Sequence, residues 1–314
     1  MPSASPSPNT IPRGGDHNGV ARGIVLRETV EARLAELVPA DEAAPLKLSS
    51  AMRYSLLAPG KRMRPVLVML LAEAAGRDPI DLIDVACAVE MVHTASLVLD
   101  DLPCMDDAAL RRGRETTHRR YGEAVSILAA ISLLTRGFEL VSAARTISPE
   151  ARSEIGGVLG RAVGPEGLSA GQEIDIAGGA MIAAHRDGRG GLDMGDVSRS
   201  HALKTGALFS AAVDAAALGS GVSPADREAL ARFARHLGLA FQALDDLLDL
   251  ASEAETGKDV ARDGERPSIV TLFGEKEARL QFRREMGNAH AGLADASFDT
   301  SAVRGYVDGM LSGL

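Results

Sequence analysis

Apolar residues return every four positions from Ile24 to Val38. Leu26, Val30, Leu34 and Val38 carry the stripe, charges fill the gaps, and Pro39 ends it. That is the period of an amphipathic helix. The same patterning recurs over 46–57, 65–76, 81–99, 121–145, 151–163, 196–219, 226–251 and 275–292. No stretch alternates with period two, and Ala and Leu outnumber Val and Ile inside the periodic segments, which favours helix over strand. No fixed-period repeat and no dividing linker appears. The pattern predicts an all-α fold, one large helical bundle spanning residues 24–314. A Pro-, Ser- and Gly-rich tail, residues 1–23, precedes it and is expected to be disordered. The Gly-rich run from Gly178 to Gly195 reads as a surface loop.

Two acidic clusters interrupt the apolar pattern. In "SLVLDDLPCMDD" four aspartates, Asp100, Asp101, Asp106 and Asp107, follow directly on an apolar helix. Asp100 and Asp106 are six apart, about 120° out of phase on a straight helix. Pro103 disfavours such a helix, and a bulge over Leu102–Met105 would bring Asp106 back beside Asp100. The second cluster is "FQALDDLLD". On a helical wheel Leu230, Phe233, Leu237, Phe241, Leu244 and Leu248 form a stripe, with Gln242, Asp245 and Asp249 on its flank within about 60°. Carboxylates at i and i+4 repel, so a purely structural helix gains nothing from them, and a divalent cation reverses that sign. Hard oxygen donors without cysteine or histidine point to Mg²⁺ rather than zinc.

Magnesium keeps waters and shares its ligands with substrate phosphates, so the basic residues matter as well. Lys61, Arg62 and Arg64 stand just before or at a helix opened by Pro65, Arg111, Arg112 and Arg114 follow the first acidic cluster, and Lys204 lies in "HALKTG". Cations alternating with metal-binding acids imply two anionic substrates, one held through metal and one directly. Composition narrows the setting. The net charge of −9 argues against nucleic acid as a partner. Aromatic residues make up 3% of the chain and tryptophan is absent, so an internal cavity is expected to have aliphatic walls. Two isolated cysteines, Cys87 and Cys104, form neither a disulfide framework nor a zinc spacing, which leads to the expectation of a cytoplasmic protein. The uncharged run Ala124–Thr135 is about a dozen residues, too short to span a bilayer. The N-terminus lacks the apolar core of a secretory signal.

In order along residues 46–275, "GKRMRP", "DDLPCMDD", "GQEID", "LKTGALF", "FQALDD" and "DDLLD" resemble the motifs of the trans-isoprenyl diphosphate synthases, the polyprenyl synthetase family. Within it, "HTASLVLDDLPCMDDAALRRGR" and "AVSILAAISLL" look most like bacterial geranylgeranyl diphosphate synthases. The resemblance implies an isoprenoid-synthase bundle around a central substrate cavity, a homodimer without a membrane span, and three Mg²⁺ ions per site. It implies condensation of isopentenyl diphosphate with an allylic diphosphate (dimethylallyl, geranyl or farnesyl) to give the C20 product. By that resemblance Asp100, Asp106, Asp245 and Asp249 would hold metal, with Asp101 among the catalytic residues and Gln172 and Asp175 in support. Arg111, Lys204 and Lys258 would grip the allylic diphosphate. Lys61, Arg64, His93 and Arg112 would bind isopentenyl diphosphate without metal, and Thr205 and Gln242 would face the developing cation.

Ala95 and Ser96, five and four residues before Asp100, are small where shorter-chain relatives tend to carry an aromatic, which implies room for a longer product. The chain departs from the family's usual pattern at Arg266, where lysine is common, and at Ala130–Ile131. It also lacks the basic C-terminal tail of some farnesyl synthases. A farnesyl diphosphate synthase is the nearest alternative. A class I terpene cyclase would need an aromatic-lined cavity, for which seven Phe and three Tyr are few. A non-catalytic synthase subunit would typically have lost acidic residues that this chain retains.

Overall fold

The computed structural model describes residues 16–38, 47–186, 202–256 and 268–312, without the side chains of 16–17, 178–186 and 249–256. Its helices are α1 (Asp16–Leu37), α2 (Leu48–Leu56), α3 (Met63–Ala74), α4 (Ile83–Asp100), α5 (Thr117–Tyr121), α6 (Glu123–Ala143), α7 (Pro149–Val163) and α8 (Leu168–Arg186). They continue as α9 (Ala207–Ser220), α10 (Pro224–Thr256), α11 (Ile269–Phe273), α12 (Glu275–Ala294) and α13 (Ser301–Leu311). A short 3₁₀ turn, Pro79–Leu82, leads into α4, and a π-helical turn, Ala202–Gly206, leads into α9.

The predicted stripe of α1 is buried: Leu26, Val30 and Leu34 are at most 2% exposed. At about 1.5–3 kcal/mol per fully buried aliphatic side chain, they fasten α1 to the bundle, where it packs on α13, α3 and α4. The helix begins at Asp16, so residues 16–23, expected in the disordered tail, belong to it. α4 is apolar on nearly every side, which is the pattern of a helix enclosed by others. It is packed by α3, α6 and α9, while α10 packs against α9 and α12. The core is therefore continuous from α1 to α13.

Three sequence readings change. Residues 178–186 of the Gly-rich run continue helix α8, and the rest of that run lies outside the described residues. Helices α8, whose stripe is weak, and α13, which is short but buries Val303, Tyr306, Val307 and Leu311, lie outside the predicted segments. Finally, a two-stranded hairpin exists, β1 (Leu110–Arg111) and β2 (Arg114–Glu115), antiparallel with Leu110 opposite Glu115 and Arg111 opposite Arg114. Its two-residue turn, Arg112–Gly113, has φ 54° and 74°, the positive pair a tight hairpin requires. Two-residue strands are too short to show alternation.

Candidate active site

The first acidic cluster is built by the way α4 stops. The helix ends at Asp100 and the backbone curls back: the Asp106 amide donates to the Asp100 carbonyl at 2.9 Å, and the Met105 and Asp107 amides donate to Leu102 at 2.9 and 3.0 Å. The turn brings the Asp106 backbone back against Asp100, and both side chains are half-buried. Asp101, expected among the catalytic residues, is turned onto the protein. It is 3% exposed, and its Oδ1 accepts from Nε and Nη2 of Arg111 at 2.8 and 2.6 Å. It thereby ties the hairpin to the end of α4.

The second cluster lies on α10, which runs through it without a break. Asp245 keeps an accessible face, whereas Asp246 is buried. The Asp246 carboxylate accepts from the Ile269 amide at 2.9 Å and from Gln242 Nε2 at 3.1 Å. Gln242 Oε1 in turn accepts from the Thr205 hydroxyl at 2.6 Å. Asp249 belongs to the same helix, with its side chain outside the described residues, and Lys258 lies outside them altogether.

Lys204 and Thr205 sit on the π-helical turn, pinched between two helices. A Cβ at Gly171 of α8 would lie 2.5 Å from the Lys204 nitrogen, and one at Gly238 of α10 would lie 2.7 Å from Gly206 Cα. Only glycine allows this approach without displacing the turn. Lys204 Nζ donates to Asp175 at 2.6 Å. Gln172, one helical turn before Asp175, is 6% exposed, and both atoms of its amide lack a partner.

A second group of cations gathers around His93 of α4. Arg64 is buried, stacks over the Phe209 ring at 4.2 Å and donates Nη1–H to His93 Nε2 at 3.3 Å. Its Nε has no partner. Burial brings the Arg64 guanidinium down to about 10, against the pull of Glu90. Burial, then Arg64 and Arg112, push His93 well below the ordinary imidazole range, so it is neutral and accepts. Burial also lowers Arg112, with Glu90 the leading opposing charge. Among the described residues, neither Lys61 nor Arg112 has a carboxylate within ion-pair distance. A cleft is lined by Tyr54, Thr94, Val98, Asp101, Arg111 and Arg112. It borders the cationic residues, and neither Asp100 nor Asp245 lines it.

Electrostatics join the acidic clusters into one site. Burial raises Asp100 to about 6, Lys204 and Arg111 oppose that shift, and Asp106 adds to it. Protein packed around Asp245 thins its hydration and raises it too, Asp246 adds to the shift, and Lys61, Lys204 and Arg111 oppose it. The same two cations, Lys204 and Arg111, thus act on both clusters. Desolvated carboxylates from two elements, hard oxygen donors throughout, together with the orphaned Gln172 amide, fit a divalent cation bridged by a polyanion. Among the described residues no group of three acidic, histidine or cysteine side chains converges tightly enough to hold an ion alone. Magnesium that draws its remaining ligands from substrate phosphate oxygens needs only one or two carboxylates from the protein.

Residues 45–286 match the polyprenyl synthetase family. The chain belongs to that family. It is 41% identical over 286 residues to a geranylgeranyl diphosphate synthase of Pseudescherichia vulneris, covering 90% of this chain and 89% of that one. It is 40% identical over 285 residues to a farnesyl diphosphate synthase of Geobacillus stearothermophilus, covering 88% and 92%. Its fold is similar to the apo crystal structure of an FPP/GFPP synthase from Zymomonas mobilis, with a TM-score of 0.78 at 30% identity over 93% of this chain and 98% of that one. A member of the isoprenoid synthase family from Thermotoga neapolitana aligns with a TM-score of 0.72, over 92% and 98%. The all-α isoprenoid-synthase fold follows, and so does prenyltransferase activity.

Sequence reasoning missed three contributors to this polyprenyl synthetase site. Asp246 holds Gln242, Phe209 underlies Arg64, and Glu90 pairs with Arg62. Glu90 carried a signal, a lone acid in the middle of an otherwise apolar helix.

Proposed function

We propose that the protein is a Mg²⁺-dependent geranylgeranyl diphosphate synthase, condensing isopentenyl diphosphate with an allylic diphosphate. The observation that carries this reading is the grouping of charge around α4. Asp100 and Asp106 at its C-terminal end share the field of Lys204 and Arg111 with Asp245, and buried Arg64, half-buried Arg112 and exposed Lys61 have no carboxylate within ion-pair distance among the described residues. Asp100, Asp106 and Asp245 would hold Mg²⁺, which would supply the positive charge that makes the allylic diphosphate a leaving group. Lys204 and Arg111 add fixed charge to the same anion, and Gln172 offers it a desolvated amide. Lys61, Arg64 and Arg112 bind the second diphosphate directly, and neutral His93 keeps the Arg64 guanidinium in place.

The allylic C1–O bond breaks, and the isopentenyl double bond gives its electron pair to C1 to form the new C–C bond. Loss of a proton then restores a double bond, and the departed diphosphate takes that proton. Thr205 donates its hydroxyl proton to Gln242, so it has lone pairs left for the electron-poor carbon, a preorganised dipole in a site with little water.

Product length rests on Ala95 and Ser96, both buried on α4. The Ser96 hydroxyl donates to the His93 carbonyl at 2.8 Å, so the polar group is turned onto the helix backbone. Small groups here leave room beyond a C15 chain. A homodimer is part of the proposal, supported by Ile127, Leu128 and Ile131, exposed together on α6. α4 and α6 are each long and apolar enough to cross a membrane. α6 exceeds the uncharged run read from the sequence because Arg136, paired with Glu139 at 2.6 Å, continues the helix. α4 is mostly enclosed by the bundle, and a second copy would cover the apolar face of α6. The free, exposed Cys104 suits the cytoplasmic location included in the proposal. The test is direct. Purified protein with Mg²⁺, isopentenyl diphosphate and each allylic primer should yield a C20 alcohol after dephosphorylation. Accumulation of C15 would favour the farnesyl synthase reading, and absence of any condensation would overturn both.

A further inference from the structure

Glu90 is 1% exposed and Arg62 3%, and neither has a part in the chemistry above. Arg62 Nη1 donates to Glu90 Oε1 at 2.6 Å. Its Nη2 donates to the carbonyls of Leu56 and Ala58 at 2.8 and 2.7 Å. Glu31 of α1 lies 3.7 Å from Nε. One guanidinium therefore ties the end of α2 to α4. Arg62 itself has φ 49°, a left-handed conformation that is unfavourable for a non-glycine residue. Such a residue persists only where its surroundings over-determine it. That kink is where the chain turns from α2 into α3, with Lys61 immediately before it and Arg64 two residues after it. His93, which accepts from Arg64, stands one helical turn after Glu90 on α4.

We infer that the buried Arg62–Glu90 pair is a positioning device for the metal-free diphosphate site, locking the 56–62 turn onto α4 so that Lys61 and Arg64 are preorganised for the isopentenyl substrate. The inference rests on the assignment of that site under the proposed function. Neither residue touches substrate in this account. Preorganisation matters because ordering side chains at the moment of binding detracts from affinity. Glu90 is also the leading favourable charge on Arg112 and on Arg64, so it lets crowded cations coexist while no anion is bound.

Removing one partner strands a buried charge and can unfold the chain, whereas replacing both with apolar side chains of similar volume is often neutral or stabilising. The decisive variant is therefore the double Arg62→Met/Glu90→Met. It leaves net charge unchanged, so weakened anion binding does not come from a change in overall charge. Titration calorimetry of isopentenyl diphosphate without metal should show affinity about tenfold weaker than wild type, with KM for the allylic substrate unchanged and the thermal transition preserved. Arg62→Lys, which cannot reach Glu90 and two carbonyls at once, should show the same selective loss. Wild-type affinity in the double variant would overturn the inference, as would equal losses on both substrates. Wild-type protein that fails to bind isopentenyl diphosphate without metal would overturn the site assignment itself, and the inference with it.

Discussion

At Asp100–Asp101 the helix ends and the chain doubles back, whereas at Asp245–Asp246 the helix runs on to Thr256. The two pairs nevertheless divide labour alike. In each, the first carboxylate keeps an accessible face, is raised by thinned hydration and acts in the shared field of Lys204 and Arg111. In each, the second is buried and spent on protein: Asp101 on the Arg111 guanidinium, Asp246 on the Ile269 amide and Gln242. Adjacent residues on a helix point about 100° apart, so a doubled aspartate cannot aim both groups at one ion. One faces the substrate while its neighbour fastens the wall behind it. Tandem acids therefore need not mean twice the ligands.

The largest expected effect tests the first members. Asp100→Ala and Asp245→Ala should each lower turnover at least ~10²-fold with the fold intact, because each removes charge that stabilises the leaving group. Near-wild-type turnover of Asp245→Ala at limiting Mg²⁺ would break the pairing of the clusters. Next in size, the two diphosphate sites should separate kinetically. Arg64→Ala should raise KM for isopentenyl diphosphate by about tenfold with kcat retained, while Lys204→Ala should depress kcat, since its partner charge grows during ionisation. Varying each substrate in turn checks this, and one common pattern for both variants would contradict it.

The tethering members should behave differently. Asp246→Ala strands a buried amide donor, so denaturant melts should show a loss of about 1–3 kcal/mol, with a smaller fall in kcat than Asp245→Ala gives. A kcat loss as deep as that of Asp245→Ala, without a stability change, would mean that Asp246 works at the reacting groups. The smallest rate effect belongs to Ala95→Tyr. It should keep most activity but shift the product from C20 to C15, read by chromatography of the dephosphorylated alcohols. An unchanged C20 product from the active variant would place the chain-length limit elsewhere.

The stripes of α1 and α10 were legible because burial repeats at the helical period, and the acids and bases stood out against them. Asp106 was legible because Pro103 forbids the straight helix that would have separated it from Asp100. The partners of those residues were not legible. That Asp101 pairs with Arg111, or that Asp246 caps the Ile269 amide, depends on a hairpin of two-residue strands and on α11, elements too short for any periodicity to register. Gly171 and Gly238 gave no warning either, since a close approach is a property of two helices and a turn together. The left-handed kink at Arg62 likewise shows itself only in the fold, where Glu90 and the carbonyls of Leu56 and Ala58 meet its guanidinium.

The most direct test of the central claim, that the two acidic clusters form one metal site completed by substrate, is Mg²⁺ binding measured by calorimetry with and without a non-reactive allylic thiodiphosphate. No three-ligand cluster exists among the described residues, so Mg²⁺ should bind weakly to the free protein and tightly once the analogue is present. Asp100→Ala and Asp245→Ala should each abolish that gain. Tight Mg²⁺ binding without the analogue, or a full gain in either variant, would contradict the account.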